Sequence, residues 1–200
     1  MNIILASKSP RRKELLEMCN ISFKTVVSNI DEKEIENQIL KEKKECDIYT
    51  QADTLTASLA YNKAKSVSLT NPNHIVIGSD TVVASDLKIL GKPSSEVDAY
   101  QTLIQLCGNV HRVYTGVSLF IDGREEFTFT NYTEVEFFKY DDCMENIIRD
   151  YIKTGSPMDK AGAYGIQDMG SLLIKEIKGD YYTVMGLPIS SLYRKLLPYI

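Results

Sequence analysis

Three consecutive cations, Arg11, Arg12 and Lys13, lie where a helix is expected to begin. Ser9 and Pro10 are typical of a helix cap and first turn, and the apolar stretch Ile3–Leu5 predicts a short buried strand before them. A helix N-terminus carries partial positive charge, so cations there repel it. Either they simply face solvent, or Ser7, the guanidinium groups and the free helix N–H groups bind phosphate oxygens. We favour the phosphate site, because a bound phosphate would remove the repulsion.

The same electrostatic conflict makes a prediction about stability. Replacing Arg11 or Arg12 by alanine is expected to weaken the binding of a polyphosphate. Because each replacement removes a cation from a helix N-terminus, it should leave stability unchanged or raise it.

An acidic residue interrupts an otherwise apolar run at 74–84, HIVIGSDTVVA. The run predicts a buried strand, and buried strands rarely contain an acid. Asp80 either caps a turn at the strand end, or it places a carboxylate at the mouth of a sheet, where open α/β sheets bind ligands. We favour the second alternative. Lys92 follows in a tight Gly-Lys-Pro loop.

The loop at 155–167, GSPMDKAGAYGIQ, is the second stretch whose composition indicates binding. Turn formation could explain its glycines, but not the combination of Asp159, Lys160 and Gln167. Long loops of this kind usually bind a ligand.

Charge and cysteine content restrict the function. The net charge of −4 over 200 residues disfavours broad nucleic-acid binding, so a small phosphorylated ligand is expected. Four cysteines without a C-x-x-C pair predict reduced, buried thiols and no disulfides. With two histidines there is no zinc cluster, so a catalytic metal would be Mg²⁺ or Mn²⁺, held by carboxylates and phosphates.

Other signals are negative. The P-loop and Rossmann fingerprints are absent. No signal peptide and no membrane-spanning run is evident, so we expect a cytoplasmic protein without membrane contact.

Hydrophobic periodicity predicts alternating helices and strands, with no repeats or linkers. Helices are expected from Pro10, at 53–67, from Ser95 to Cys107, from Asp142 to Gly155 and from Pro188. Further strands are expected at 23–27, 87–90, 113–121, 127–137, 172–177 and 181–184. The charged stretch 31–47 is expected to be a solvated helix or loop. His111 is expected to be packed or hydrogen-bonded rather than a base, because no nucleophile neighbours it.

Several of these stretches together resemble the Maf family of nucleoside triphosphate pyrophosphatases. The matching blocks, in family order, are LASKSPRRKELL at 5–16, IGSDTVV at 77–83, LGKP at 90–93, HRVYTGV at 111–117, DKAGAYGIQ at 159–167 and GLP at 186–188. The resemblance implies one Maf-like domain over residues 1–200, with an elongated mixed α/β sheet, flanking helices and two interleaved lobes around a deep cleft. Such a fold is similar to that of inosine triphosphate pyrophosphatases.

The resemblance also implies an activity. The family cleaves nucleoside triphosphates between the α- and β-phosphates, with a divalent metal. The residues at 80–81 and 159–167 resemble the branch that acts on dTTP and UTP. A non-catalytic regulator of septum formation, binding nucleotide or nucleic acid, is the alternative. A homodimer is left open.

Site roles follow from the same resemblance. Asp80 corresponds to the catalytic position, and Arg11, Thr81 and Gln167 correspond to specificity positions. The positions expected to hold phosphate or metal are Ser7, Arg12, Glu32, Lys63 and Lys92, with Glu32 and Asp80 as the candidate metal ligands.

Overall fold

The computed structural model describes residues 1–200 and has seven strands and seven α-helices. The strands are β1 (Asn2–Ala6), β2 (Phe23–Thr25), β3 (His74–Ala84), β4 (Ile89–Leu90), β5 (Val110–Ile121), β6 (Arg124–Phe137) and β7 (Ile174–Lys178). The helices are α1 (Pro10–Met18), α2 (Glu32–Glu42), α3 (Ile48–Ser68), α4 (Glu96–Leu106), α5 (Asp142–Lys153), α6 (Tyr181–Met185) and α7 (Ile189–Leu196). Short 3-10 turns lie at Ser156–Asp159, Ala161–Ala163, Met169–Leu173 and Leu197–Tyr199.

All strands form one mixed sheet, which confirms the predicted α/β class. The order is β2-β1-β3-β5-β6-β7, and β4 pairs with the far end of β3. β1 is parallel to both of its neighbours, whereas in the row β3, β5, β6, β7 each strand is antiparallel to the next. The Asp122-Gly123 turn joins β5 and β6 with positive φ at both residues, as the sequence indicates for a tight hairpin.

The long central strands pass through two main regions of the apolar core. One region packs α1 and α7 against β1 and the nearby halves of β3 and β5. The other packs α4, α5 and the loop before β7 against the far ends of β3, β5 and β6. The strands β3 and β5 contribute buried side chains to both regions.

Helix α3 lies unusually close to the sheet because two glycines face it. A Cβ on Gly78 would come within 2.3 Å of the Ala60 carbonyl oxygen, and a Cβ on Gly116 within 2.6 Å of the Thr56 carbonyl oxygen. Gly116 is the register partner of Asp80. The absence of these two side chains therefore lets α3 approach the strand that carries Asp80.

The predicted strand at 181–184 is wrong. These residues belong to α6, because the Asp180 carboxylate accepts hydrogen bonds from both the N–H and the hydroxyl of Thr183. Gly186, with φ of 117°, ends the helix. A short aromatic and β-branched run reads as a strand by propensity, but the cap and the glycine decide otherwise.

Other boundaries moved because neighbouring aspartates cap the helices. α3 begins at Ile48 rather than near residue 53, since Asp47 accepts hydrogen bonds from the N–H groups of Tyr49 and Thr50. The side chain that caps α5 is Asp141, not Asp142. The charged stretch 31–47 contains α2, which packs Ile35 and Ile39 against α3.

The cysteines differ from expectation in their burial. All four are free, but Cys19, Cys46 and Cys107 are only partly buried, and Cys143 is exposed. Among the helices, none combines the length and the apolar character that crossing a membrane requires.

His111 is buried in an aromatic cluster, as its expected packing role requires. Its Nε2 lies 2.8 Å from the Tyr164 hydroxyl, and its ring meets the rings of Phe137 and Tyr164 edge to face. Its Nδ1 has no hydrogen-bond partner. Burial lowers the pKa of His111 to about 3, because no nearby group stabilises the imidazolium.

This environment predicts a stability that falls in mild acid. The pKa of His111 is about 3 in the folded protein and 6.5 in its ordinary state. Between these pH values the unfolded chain therefore binds a proton at His111 that the folded protein does not bind. The contribution is complete above pH 6.5 and declines as the pH falls towards 3. Between pH 7 and pH 5 it should lower the free energy of unfolding by about 2 kcal/mol.

Urea unfolding at the two pH values, in wild type and in His111→Phe, measures this contribution. The variant should lose about 2 kcal/mol less than wild type on acidification. His74→Phe, at the other histidine, is the matched control. An identical acid-induced loss in wild type and His111→Phe would contradict the assignment.

Candidate active site

A cleft of about 950 Å³ opens where β1 ends and α1 begins. Its lining includes Val83 and Tyr164 of one core region and Met185, which packs against the other. One part of its wall is polar and comes from the β1–α1 turn, α2, α3 and β3. Another part is apolar and includes Leu55, Leu59, Val82, Ile89 and Leu90. All the site residues predicted from the sequence line this one cleft.

The turn between β1 and α1 has the predicted cap. The Ser9 hydroxyl accepts from the N–H of Arg12, and Pro10 occupies the first turn. The Ser7 hydroxyl accepts from the N–H of Ser9 at 3.2 Å, so it sits beside the helix N-terminus. No acidic side chain lies in that first turn, which leaves its partial positive charge directed at the cleft.

Arg12 is buried and largely committed to the protein itself. Its Nε donates to the Gly186 carbonyl at 2.8 Å, and its two terminal nitrogens donate to Ser7 Oγ at 3.2 Å and Thr81 Oγ1 at 2.9 Å. Burial is the main cause that lowers its pKa. Two of its five N–H groups remain for a ligand. The expectation that Arg12 is dispensable for stability is therefore corrected, because it ties three segments together.

Arg11 is placed differently from its neighbour. Its side chain is one-fifth exposed and contacts the Asp159 carboxylate at 3.1 Å, across the cleft from α1. Arg11 and the Lys160 ammonium hold the pKa of Asp159 below its ordinary value, against the opposing effect of burial. The guanidinium can exchange this one exposed carboxylate for a phosphate, so Arg11 remains available to a ligand.

Asp80, Lys63 and Glu32 form a compact charged group. Lys63 Nζ lies 2.5 Å from Asp80 Oδ1 and 2.9 Å from Glu32 Oε1, and the Lys63 side chain is only 8% exposed. Asp80 lies within β3 rather than at its end, two residues beyond the last one paired with β1. The cap alternative for Asp80 is therefore wrong, and its carboxylate faces the cleft with Lys63 orienting it.

Lys92 and Gln167 are exposed residues of the cleft wall. Neither side chain forms a hydrogen bond or ion pair within the protein, so both are free to turn towards a ligand. Thr81 also lines the cleft, but its hydroxyl is held by Arg12 and by Thr115 Oγ1, each at 2.9 Å.

Comparison with known proteins identifies the family. The family model described as Maf-like protein matches residues 2–198. The chain belongs to the Maf family. The resemblance inferred from the sequence blocks is thereby confirmed.

Two similar proteins from Bacillus cereus carry the name dTTP/UTP pyrophosphatase. The protein of strain G9842 is 44% identical over 194 residues, which are 97% of this chain and 93% of that one. The protein of strain ATCC 10987 / NRS 248 is 45% identical over 194 residues, covering 97% of this chain and 88% of that one. Among solved structures, a HAM1 protein from Coxiella burnetii matches with a TM-score of 0.49 and 13% identity, over 99% of both chains.

Two residues of this Maf-family site, Lys160 and Thr115, have structural roles that the sequence did not reveal. The Lys160 ammonium is buried among Ser156, Asp159 and Asp168, with its nearest contact, the Ser156 carbonyl, at 2.5 Å. It fixes the loop that carries Gln167. The unusual composition of that loop was the available signal, but it could not separate a ligand-binding lysine from one that holds the loop. The second residue, Thr115, pairs with the Thr81 hydroxyl. Nothing in the sequence indicated this contact, because threonine is a common residue in strands.

Proposed function

We propose that this protein hydrolyses dTTP and UTP to the monophosphate and pyrophosphate. The observation that carries the proposal is the placement of Asp80, oriented by Lys63, in the same cleft as the unshielded N-terminus of α1 and the cations Arg11 and Lys92. A site that only bound polyphosphate would gain nothing from a carboxylate there, because the carboxylate repels phosphate. The name shared by the relatives in Bacillus cereus agrees with this reading.

The residues divide the work between nucleophile and leaving group. Asp80 accepts the proton of the water that attacks the α-phosphorus, and Lys63 holds the carboxylate in place. Arg11, Lys92, Ser7 and the free N–H groups of α1 bind the departing pyrophosphate, whose charge grows as the bond breaks. The Arg11–Asp159 ion pair opens when the triphosphate replaces the carboxylate.

A divalent metal ion belongs to this proposal, and the donors near Asp80 suit one. Asp80 and Glu32 each contact Lys63 through one oxygen and keep the other without a protein partner. Mg²⁺ and Mn²⁺ prefer such oxygen donors and are often held by one or two carboxylates together with substrate phosphates. No group of three His, Cys, Asp or Glu side chains could hold a metal by itself. When bound, the ion would neutralise phosphate charge.

The apolar wall of the cleft, with Leu55, Leu59, Val82, Ile89 and Leu90, suits the flat faces of a base. Gln167 offers both a donor and an acceptor to the edge of uracil or thymine. A cytoplasmic location is part of the proposal, since the substrates are cytoplasmic metabolites.

Gln167→Ala is expected to narrow the preference for dTTP and UTP over CTP. A polar mismatch at the base edge costs about 1 to 3 kcal/mol. Because the Gln167 amide is exposed and unrestrained, we expect the low end, roughly tenfold in the ratio of kcat/KM values. Steady-state kinetics with dTTP, UTP, CTP and GTP measure it. An equal fall for all four would show that Gln167 shapes the site without reading the base.

The test of the function itself is direct. Purified protein is incubated with each nucleoside triphosphate and Mg²⁺ or Mn²⁺, and the products are separated. Monophosphate and pyrophosphate should form from dTTP and UTP, and a chelator should stop the reaction. Release of inorganic phosphate and a diphosphate, or no turnover of either nucleotide, would refute the proposal.

A further inference from the structure

A continuous chain of hydrogen bonds crosses the sheet beneath the cleft. Thr81 on β3 and Thr115 on β5 are register partners, and their hydroxyl oxygens lie 2.9 Å apart. Thr115 is fully buried, does not line the cleft, and has its Oγ1 2.8 Å from the carbonyl oxygen of Thr183 in α6. On the other side, Arg12 contacts Thr81 Oγ1 at 2.9 Å.

The chain has only one consistent direction. A threonine hydroxyl has a single proton, and a carbonyl oxygen can only accept. Thr115 must therefore donate to the Thr183 carbonyl, which leaves it an acceptor for Thr81. Arg12 can only donate, so Thr81 accepts from it and donates to Thr115. The Thr81 hydroxyl then has no proton left for a ligand and presents only a lone pair to the cleft.

This direction restricts what Thr81 can bind. Phosphate oxygens are acceptors, so the Thr81 hydroxyl cannot donate to them. It needs an N–H or O–H donor. Uracil and thymine carry an N–H at ring position 3, whereas cytosine has an unprotonated nitrogen there that would face the Thr81 lone pair. Gln167 supplies only the low end of this discrimination, because its exposed side chain has no partner in the protein and can partly reorient towards the edge of cytosine.

We propose that Thr115 is a positioning residue that holds the Thr81 hydroxyl as a hydrogen-bond acceptor towards the cleft. It thereby favours uracil and thymine over cytosine without touching the substrate. The inference rests on the proposed pyrimidine triphosphate site and extends it to a residue behind the wall of the cleft.

Thr115→Val removes the acceptor for Thr81 with little change in shape. The Thr81 hydroxyl then becomes free to donate to cytosine. The preference for uracil should fall about three- to tenfold, the range of one neutral hydrogen bond, and it should fall mainly through tighter binding of the cytosine nucleotide. A merely structural defect would instead weaken both nucleotides. Thr115→Ser keeps the hydroxyl and should restore the wild-type preference.

The measurement is titration calorimetry with the α,β-methylene analogues of UTP and CTP and Mg²⁺. These analogues cannot be cleaved at the bond in question, so affinities are obtained whether or not the protein turns over UTP. Ser118→Ala is the matched control, because Ser118 is also buried on β5 but its hydroxyl pairs with the Thr128 hydroxyl at 2.8 Å, apart from Thr81, Thr115 and Thr183. It should leave the preference unchanged. If Thr115→Val does not fold, Thr115→Ala is measured in its place.

A double variant tests whether Thr115 affects the preference through Thr81. In a Thr81→Val background, Thr115→Val should no longer alter the preference. An unchanged preference in the single Thr115→Val variant, an equal loss for both analogues, or equal affinities in wild type would each overturn the inference. Failure of the proposed function is recorded separately, as the absence of pyrophosphate release from UTP by wild type.

Discussion

Asp80→Asn is expected to lower turnover of dTTP and UTP by roughly a hundredfold or more, the usual scale for loss of a general base. The change keeps the size of the side chain and its contact with Lys63, but the amide cannot accept the proton of the attacking water. Affinity for the triphosphate should hold or improve, because one negative charge leaves the phosphate site. Initial rates of pyrophosphate release and calorimetry with a non-hydrolysable analogue measure the two quantities.

Asp53→Asn is the matched control for this prediction. Asp53 lies in α3, and its carboxylate accepts a hydrogen bond from the Thr130 hydroxyl on β6. It does not line the cleft. Its replacement should leave turnover close to wild type. If Asp80→Asn turns over within about threefold of wild type, Asp80 is not the base.

Arg12→Ala is expected to lower both activity and stability, which sets Arg12 apart from Arg11. Three hydrogen bonds from the Arg12 guanidinium join α1 to Ser7, Thr81 and the Gly186 carbonyl. The variant no longer has to bury a charged guanidinium, and this offsets part of the loss of these hydrogen bonds. The free energy of unfolding should therefore fall by about 1 to 3 kcal/mol. Turnover should fall by roughly a hundredfold, because the phosphate site loses a cation and Thr81 loses its partner.

Arg11→Ala is the matched comparison on the same helical turn. Its one ion pair, with the exposed Asp159, contributes little to stability, and removing a cation from the helix N-terminus is favourable. Melting temperature without ligand should therefore stay the same or rise, while triphosphate affinity weakens. Arg12→Lys should not rescue Arg12→Ala fully, since an ammonium lacks the planar fork. Equal melting temperatures for wild type and Arg12→Ala would contradict the structural role given to Arg12.

The sequence by itself determined the family and the fold class, and it picked out nine polar residues that all line one cleft. It could do so because these residues lie in short blocks whose local structure is set by near neighbours, such as the Ser9 cap with Pro10 and the Asp122-Gly123 hairpin turn. The wrong strand at 181–184 shows the limit of such local reading, since propensity there was overruled by a cap and a glycine.

Only the tertiary structure decided how the two adjacent arginines are placed in the cleft. Arg11 and Arg12 are identical in type and differ by one helical position, but that rotation points one across the cleft and buries the other against Gly186, more than 170 residues away in sequence. The pairing of Lys63 with Asp80 likewise depends on Gly78 and Gly116 letting α3 approach the sheet. The direction in which the Thr81 hydroxyl donates its hydrogen bond depends on Thr115 and Thr183, which are distant from it in sequence. These are long-range contacts, and the local pattern of a sequence does not encode them.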